Sequence, residues 1–138
     1  MTHTAPTRTQ GGTATSTLRA AQALAVLSVL TLLFQFVTAG QLFGPGGEGM
    51  EDVHGTGAIV LHVVTGLLTV ALLLHQRASR GPAWPVALSA VVFVLTFVQA
   101  YFGGGQTLYI HVPGAMILTV GSVWLLAWSF SRAALGRP

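Results

Sequence analysis

Residues 54–75 read HGTGAIVLHVVTGLLTVALLLH and contain no Asp, Glu, Lys or Arg. A helix needs about 20 consecutive apolar residues to cross a hydrocarbon core about 30 Å thick, and this stretch supplies them. Three more runs of the same kind lie at about 18–39, 84–102 and 108–130. In lipid the backbone donors and acceptors must satisfy one another, so each run is expected to be helical. The runs are too long and continuous for the alternating strands of a membrane barrel. The sequence therefore predicts an all-α, integral membrane four-helix bundle over residues 18–132.

Composition agrees with this. Of 138 residues, 52% are hydrophobic and 7% are charged, against about a quarter charged in a typical soluble domain. There are too few charges to coat a water-facing surface. The formal net charge of +3 comes from six arginines and three acids. The arginines are scattered along the chain and form no basic stripe, so nucleic acid is not an expected partner. The absence of cysteine excludes disulfides, thiolate metal sites, iron–sulfur clusters and covalent heme attachment through C-x-x-C-H. Residues 1–17 are rich in Thr, Gly and Ala without apolar periodicity, and read as a disordered tail that includes His3. Residues 133–138 read as a second tail.

The charges lie in an ordered way on the connections. Residues 40–53 hold Glu48, Glu51 and Asp52. Residues 76–83 hold Arg77 and Arg80, residues 103–107 are uncharged, and the termini carry Arg8, Arg19, Arg132 and Arg137. Every arginine falls on one side of the bundle and every acid on the other. The positive-inside rule then places both termini in the cytoplasm of a multi-pass protein of the cell (plasma or inner) membrane. Phe43, Tyr101 and Tyr109 mark the outer interface, and Trp84 and Trp128 the inner one. Val37-Thr38-Ala39 would pass as a signal-peptidase site, but the preceding apolar run is longer than a secretory h-region, so the first helix is read as retained.

The second and fourth runs open alike. His54-Gly55-Thr56-Gly57-Ala58-Ile59-Val60-Leu61-His62-Val63 aligns with His111-Val112-Pro113-Gly114-Ala115-Met116-Ile117-Leu118-Thr119-Val120 as H-x-x-G-A-x-x-L-x-V. Before them, Gln35 precedes Gly40 and Gln99 precedes Gly104 by the same interval. The chain reads as two repeated helical hairpins in one orientation, related about the membrane normal.

His54 and His111 then sit at equivalent outer helix ends and can face each other across the bundle. Two neutral imidazoles so placed can supply both axial ligands of a heme iron. Gly57 and Ala58, and Gly114 and Ala115, share the ligand's helix face and leave room for a flat macrocycle. The plainer alternative is a solvated His at each helix end, followed by small residues for close packing. Zinc would lack ligands unless Glu51 supplied a third. His62 lies about 12 Å deeper on its helix. Such a residue often serves a function, by meeting a heme propionate, a proton path or a quinone. The bland reading bonds it to Gln35, Gln99 or Thr119. His75 reads as interfacial, without a ligand role. Gln35 and Gln99 are expected to face the core and bond across helices, with contact to a bound cofactor as the alternative.

These motifs resemble one half of heme A synthase, a family similar to two fused four-helix bundles, with compact four-helix members. The matching residues are His54 and His111. Glu51-Asp52-Val53-His54 reproduces the family's E-x-x-H spacing. The resemblance implies His54 and His111 as heme ligands and Glu51 as a reactive or proton-handling group. The loop cysteine pair of many members is absent here, and Gly55 stands where a basic residue often follows the first His. The stretch Gln35-Phe36-Val37-Thr38-Ala39-Gly40, with a later His, is also similar to an uncharacterised family of small bacterial four-helix membrane proteins.

The leading expectation is a b-type cytochrome-like protein with one non-covalent heme b near the outer surface, serving electron transfer. The alternatives are a heme-modifying oxidoreductase in which Glu51 assists catalysis, and a cofactor-free subunit of a larger membrane complex. A transporter is disfavoured, because no broken helix or midplane acid appears. The lipid bilayer is one expected partner. A redox partner or larger complex is another, and a homodimer is an option the sequence leaves open.

Overall fold

A computed structural model describes residues 9–45, 47–131 and 133–135. His3, the rest of residues 1–8, and the end of the C-terminal tail lie outside the described residues. The described residues form four α-helices: α1 (Thr9–Leu42), α2 (Met50–Ser79), α3 (Trp84–Tyr101) and α4 (Leu108–Ser129). A 3₁₀ turn, Gly105–Thr107, leads into α4. All four helices are long and apolar enough to cross a membrane.

Local chemistry sets the helix ends. Gly49 precedes α2 at φ 81°, a left-handed conformation that costs a glycine little. Glu51 and Asp52 occupy the first turn of α2 and Arg77 the last, each complementing the helix dipole. Arg80 closes α2 at φ 53°, where glycine or asparagine is usual. Pro85 sits in the first turn of α3, where its missing N–H has no helical partner to lose.

The helices run up and down, and their ends pair accordingly. The start of α1 meets the end of α4 through Gln22 Nε2, which donates to the Ser129 carbonyl at 2.9 Å. The end of α1 meets the start of α2 through Thr38 and His54, and α3 and α4 meet likewise through Gln99 and His111. Each helix packs on its two neighbours in the order α1–α2–α3–α4–α1, leaving α1 opposite α3 and α2 opposite α4. Arg19, Arg77 and Arg80 therefore cluster at one end of the bundle, and Glu48, Glu51 and Asp52 at the other.

The apolar surface points outward. Leu33, Ile59, Val63, Val94, Ile117 and Trp124 are all exposed, whereas the interior carries Ser28, Thr65, Ser89, Thr96 and Ser129. These hydroxyls stay satisfied by donating to carbonyls three or four residues back in their own helices. Small and hydroxylated interior residues under an apolar coat are how helices pack when lipid is the solvent. Close approach is visible at Gly66, where a methyl group would press on the Phe93 ring, and at Gly121, where it would meet Val92.

Two helices exceed the expected spans. The tail expected to be disordered over 1–17 is helical from Thr9, and α2 runs from Met50 to Ser79 rather than from His54 to His75. At about 1.5 Å per residue, the 34 residues of α1 reach roughly 50 Å, well beyond the hydrocarbon core. The extra turns at the arginine end are mostly exposed but meet one another at Ala14 and His75. His75 is 5% exposed, its Nδ1 lies 3.1 Å from the Ala14 carbonyl, and its ring meets the edge of Trp128 at 6.3 Å. His75 is thus a buried packing residue.

Candidate functional site

His54 from α2 and His111 from α4 come together across the bundle diagonal at the acidic end. Their ring centroids are 6.4 Å apart and their planes 63° apart. Both side chains are half-buried.

Each imidazole is held by its Nδ1. His111 Nδ1 lies 3.0 Å from the Gln99 main-chain oxygen. A carbonyl only accepts, so this bond places a proton on Nδ1, and in a neutral ring Nε2 then carries the lone pair. His54 Nδ1 lies 2.9 Å from Thr38 Oγ1. That hydroxyl also lies 3.1 Å from the Phe34 and Gln35 carbonyls. With the hydroxyl proton on either carbonyl, Oγ1 would accept from His54 Nδ1–H, the arrangement seen at His111. No hydrogen bond among the described residues uses Nε2 of either ring. A histidine that ligates a metal commonly donates its other ring N–H to a carbonyl or similar acceptor in this way.

Space lies on both sides of the pair. A cavity of about 310 Å³ opens between α1 and α4, lined by Phe36, Ala39, Gly40, Ala115 and Leu118 around the two histidines. Another, of about 490 Å³, opens between α2 and α3 and reaches Glu51, Ala58, His62, Thr96 and Gly103. Both seams separate the α1–α2 hairpin from the α3–α4 hairpin. One histidine therefore projects from each hairpin into the slit between them. A larger groove of about 580 Å³ on the outer face of α1 and α2 is lined mainly by apolar side chains such as Leu30, Phe34 and Val60, and holds neither histidine.

The other expected site residues fall in distinct places. Glu51, Ala58 and His62 line the α2–α3 cavity and Ala115 the α1–α4 cavity. Gly57 and Gly114 line neither. A methyl group on Gly57 would overlap the Gln35 amide, and one on Gly114 would overlap the Gln99 amide. These glycines make room for glutamines of the neighbouring helix rather than directly for a ligand. Gln35 and Gln99 border both cavities. Gln99 is 8% exposed, and the side-chain oxygens of both are buried without a hydrogen-bond partner. The expected cross-helix bonds of these amide oxygens are therefore not made. His62 likewise departs from the expected bond to Gln35, Gln99 or Thr119. Its ring lies against Phe97 of α3, with centroids 4.2 Å apart and planes tilted by 51°, and its Nδ1 is buried without a partner.

Among the described residues no three His, Asp or Glu side chains converge as a metal site. Glu51 does not complete a zinc site with the two histidines. What the arrangement offers is a pair of facing imidazoles, each held at Nδ1 and with Nε2 in no hydrogen bond among the described residues. No protein-family model matches the chain, and neither a curated protein nor a solved structure is significantly similar to it.

Proposed function

We propose that this chain is a b-type cytochrome-like membrane protein that holds one heme b non-covalently between His54 and His111. The carrying observation is the opposed histidine pair. A metal–imidazole nitrogen bond is about 2 Å long, so two such bonds in line, with the inner half of each ring, separate the centroids by roughly 6 Å. The observed 6.4 Å agrees with that. The Nδ1 bonds support the reading, because they prepare Nε2 of both rings to ligate. The slit on either side of the pair suits a flat group, and Ala58 and Ala115 keep its walls low. A heme so held supplies one-electron redox chemistry. The role that follows is electron transfer near the outer membrane surface, with a redox partner or a larger complex supplying and accepting the electrons.

The same reading takes the two hairpins as repeats, since His54 and Gly57 match His111 and Gly114 in spacing, and Gly57 meets Gln35 as Gly114 meets Gln99. It places the arginine end, and with it both termini, in the cytoplasm of the plasma or inner membrane. A second reading, a heme-modifying oxidoreductase of the heme A synthase kind, is favoured by one observation: Glu51 borders the α2–α3 cavity beside both histidines. It predicts a heme product of altered mass that disappears in Glu51→Ala.

Heme content tests the main reading. Detergent-purified protein from heme-replete cells is expected to carry about one heme b per chain, and the His54→Ala/His111→Ala variant none. Equal heme content in the two proteins would reject the ligand assignment.

A further inference from the structure

We infer that Gln35 and Gln99 are the positioning residues of the histidine pair, each acting through its main chain on one imidazole and through its side chain on the width of the slit. This rests on the heme reading for one of its two tests only.

The main-chain role is direct at Gln99, whose carbonyl accepts from His111 Nδ1. At Gln35 it passes through the Thr38 hydroxyl, which stands 3.1 Å from the Gln35 and Phe34 carbonyls alike and 2.9 Å from His54 Nδ1. Both hairpins thus engage Nδ1 of their histidine, and the same tautomer is assigned to both. The side-chain role follows from the glycines. Each glutamine amide is seated in a notch that exists only because Gly57 or Gly114 has no Cβ. A methyl group there would displace the amide, and the slit that both glutamines border is open space for it to enter. The amide oxygens of both are buried without a hydrogen-bond partner, so no bond of theirs opposes the shift.

The test uses four glycine and glutamine variants of the full chain with hemin as probe. Gly57→Ala and Gly114→Ala are expected to weaken hemin binding about 10- to 100-fold, as loss of a ligand's supporting contacts does, and to convert the low-spin ferric spectrum to high-spin. The paired variants Gly57→Ala/Gln35→Ala and Gly114→Ala/Gln99→Ala remove the displaced amide and are expected to recover low-spin binding. Wild-type spectra in the single variants would overturn the inference. So would failure of the paired variants to recover while helical content by circular dichroism stays unchanged. A second readout needs no heme: nitrogen-15 NMR of ring-labelled histidines should find His54 and His111 protonated at Nδ1 in the ligand-free protein. Protonation at Nε2 would overturn the main-chain role. If wild-type protein binds no hemin but the tautomers are as stated, the heme reading fails and the positioning role stands.

Discussion

Single side chains decide how the histidine pair is held, and they differ between the two halves. His111 leans on a main-chain oxygen that no substitution of Gln99 removes, whereas His54 depends on the hydroxyl of Thr38, which is 3% exposed. Thr38→Val should therefore free the His54 ring and weaken hemin binding about 10- to 100-fold, measured by titration, with Thr38→Ser close to wild type. An unchanged affinity in Thr38→Val would show that the hydroxyl does not orient the ligand. At the other end of the bundle, His75→Ala removes a ring packed between Ala14 and Trp128. It should destabilise the protein by roughly 1–3 kcal/mol through the lost ring packing and one lost hydrogen bond, and leave the optical spectrum unchanged. Thermal unfolding in detergent, followed beside the spectrum, separates these effects. At this scale the sequence was partly legible. His54 and His111 stood out through the repeated pattern. Thr38 did not, because its side chain already has helix carbonyls to bond and nothing in the spacing announces a second partner on α2. The burial of His75 was hidden because an arginine two residues on suggests an interface.

Elements depend on how closely the helices approach. Gly121 lets α4 meet Val92 of α3, and Gly66 lets α2 meet Phe93. Gly121→Leu should force these helices apart and cost roughly 1–3 kcal/mol, the usual range for overpacking. Resistance to denaturation by sodium dodecyl sulfate measures it, and a fully stable variant would mean that this seam is loosely packed. Hydropathy located all four helices and placed the ends of α3 and α4 within a residue or so. It fell short on α1 and α2 for a physical reason. Apolar runs report immersion in lipid, but a helix continues wherever packing supports it, and the polar turns before Leu18 are supported by His75 through Ala14. The two glycines after the histidines were legible as small residues. Their contacts with Gln35 and Gln99 were not, since sequence spacing relates positions on one helix and says little about which residue of the next helix fills a notch.

At the scale of the molecule, charge separates the two ends, with Glu48, Glu51 and Asp52 opposite Arg19, Arg77 and Arg80. Because the chain lacks cysteine, single-cysteine variants report sidedness cleanly. In intact cells stripped of any outer membrane, Glu48→Cys should react with an impermeant maleimide, and Ser79→Cys only after the membrane is opened. The reverse pattern would invert the proposed topology.

The central claim is that two histidines on opposite hairpins hold one heme. The most direct measurement is the absorption spectrum of the purified protein, oxidised and then reduced, beside His54→Ala, His111→Ala and the double variant. The account predicts a Soret band with sharp reduced α and β bands in wild type, high-spin spectra in the single variants and no heme spectrum in the double variant. A flat wild-type spectrum under heme-replete expression, or low-spin bands that survive in the double variant, would contradict it.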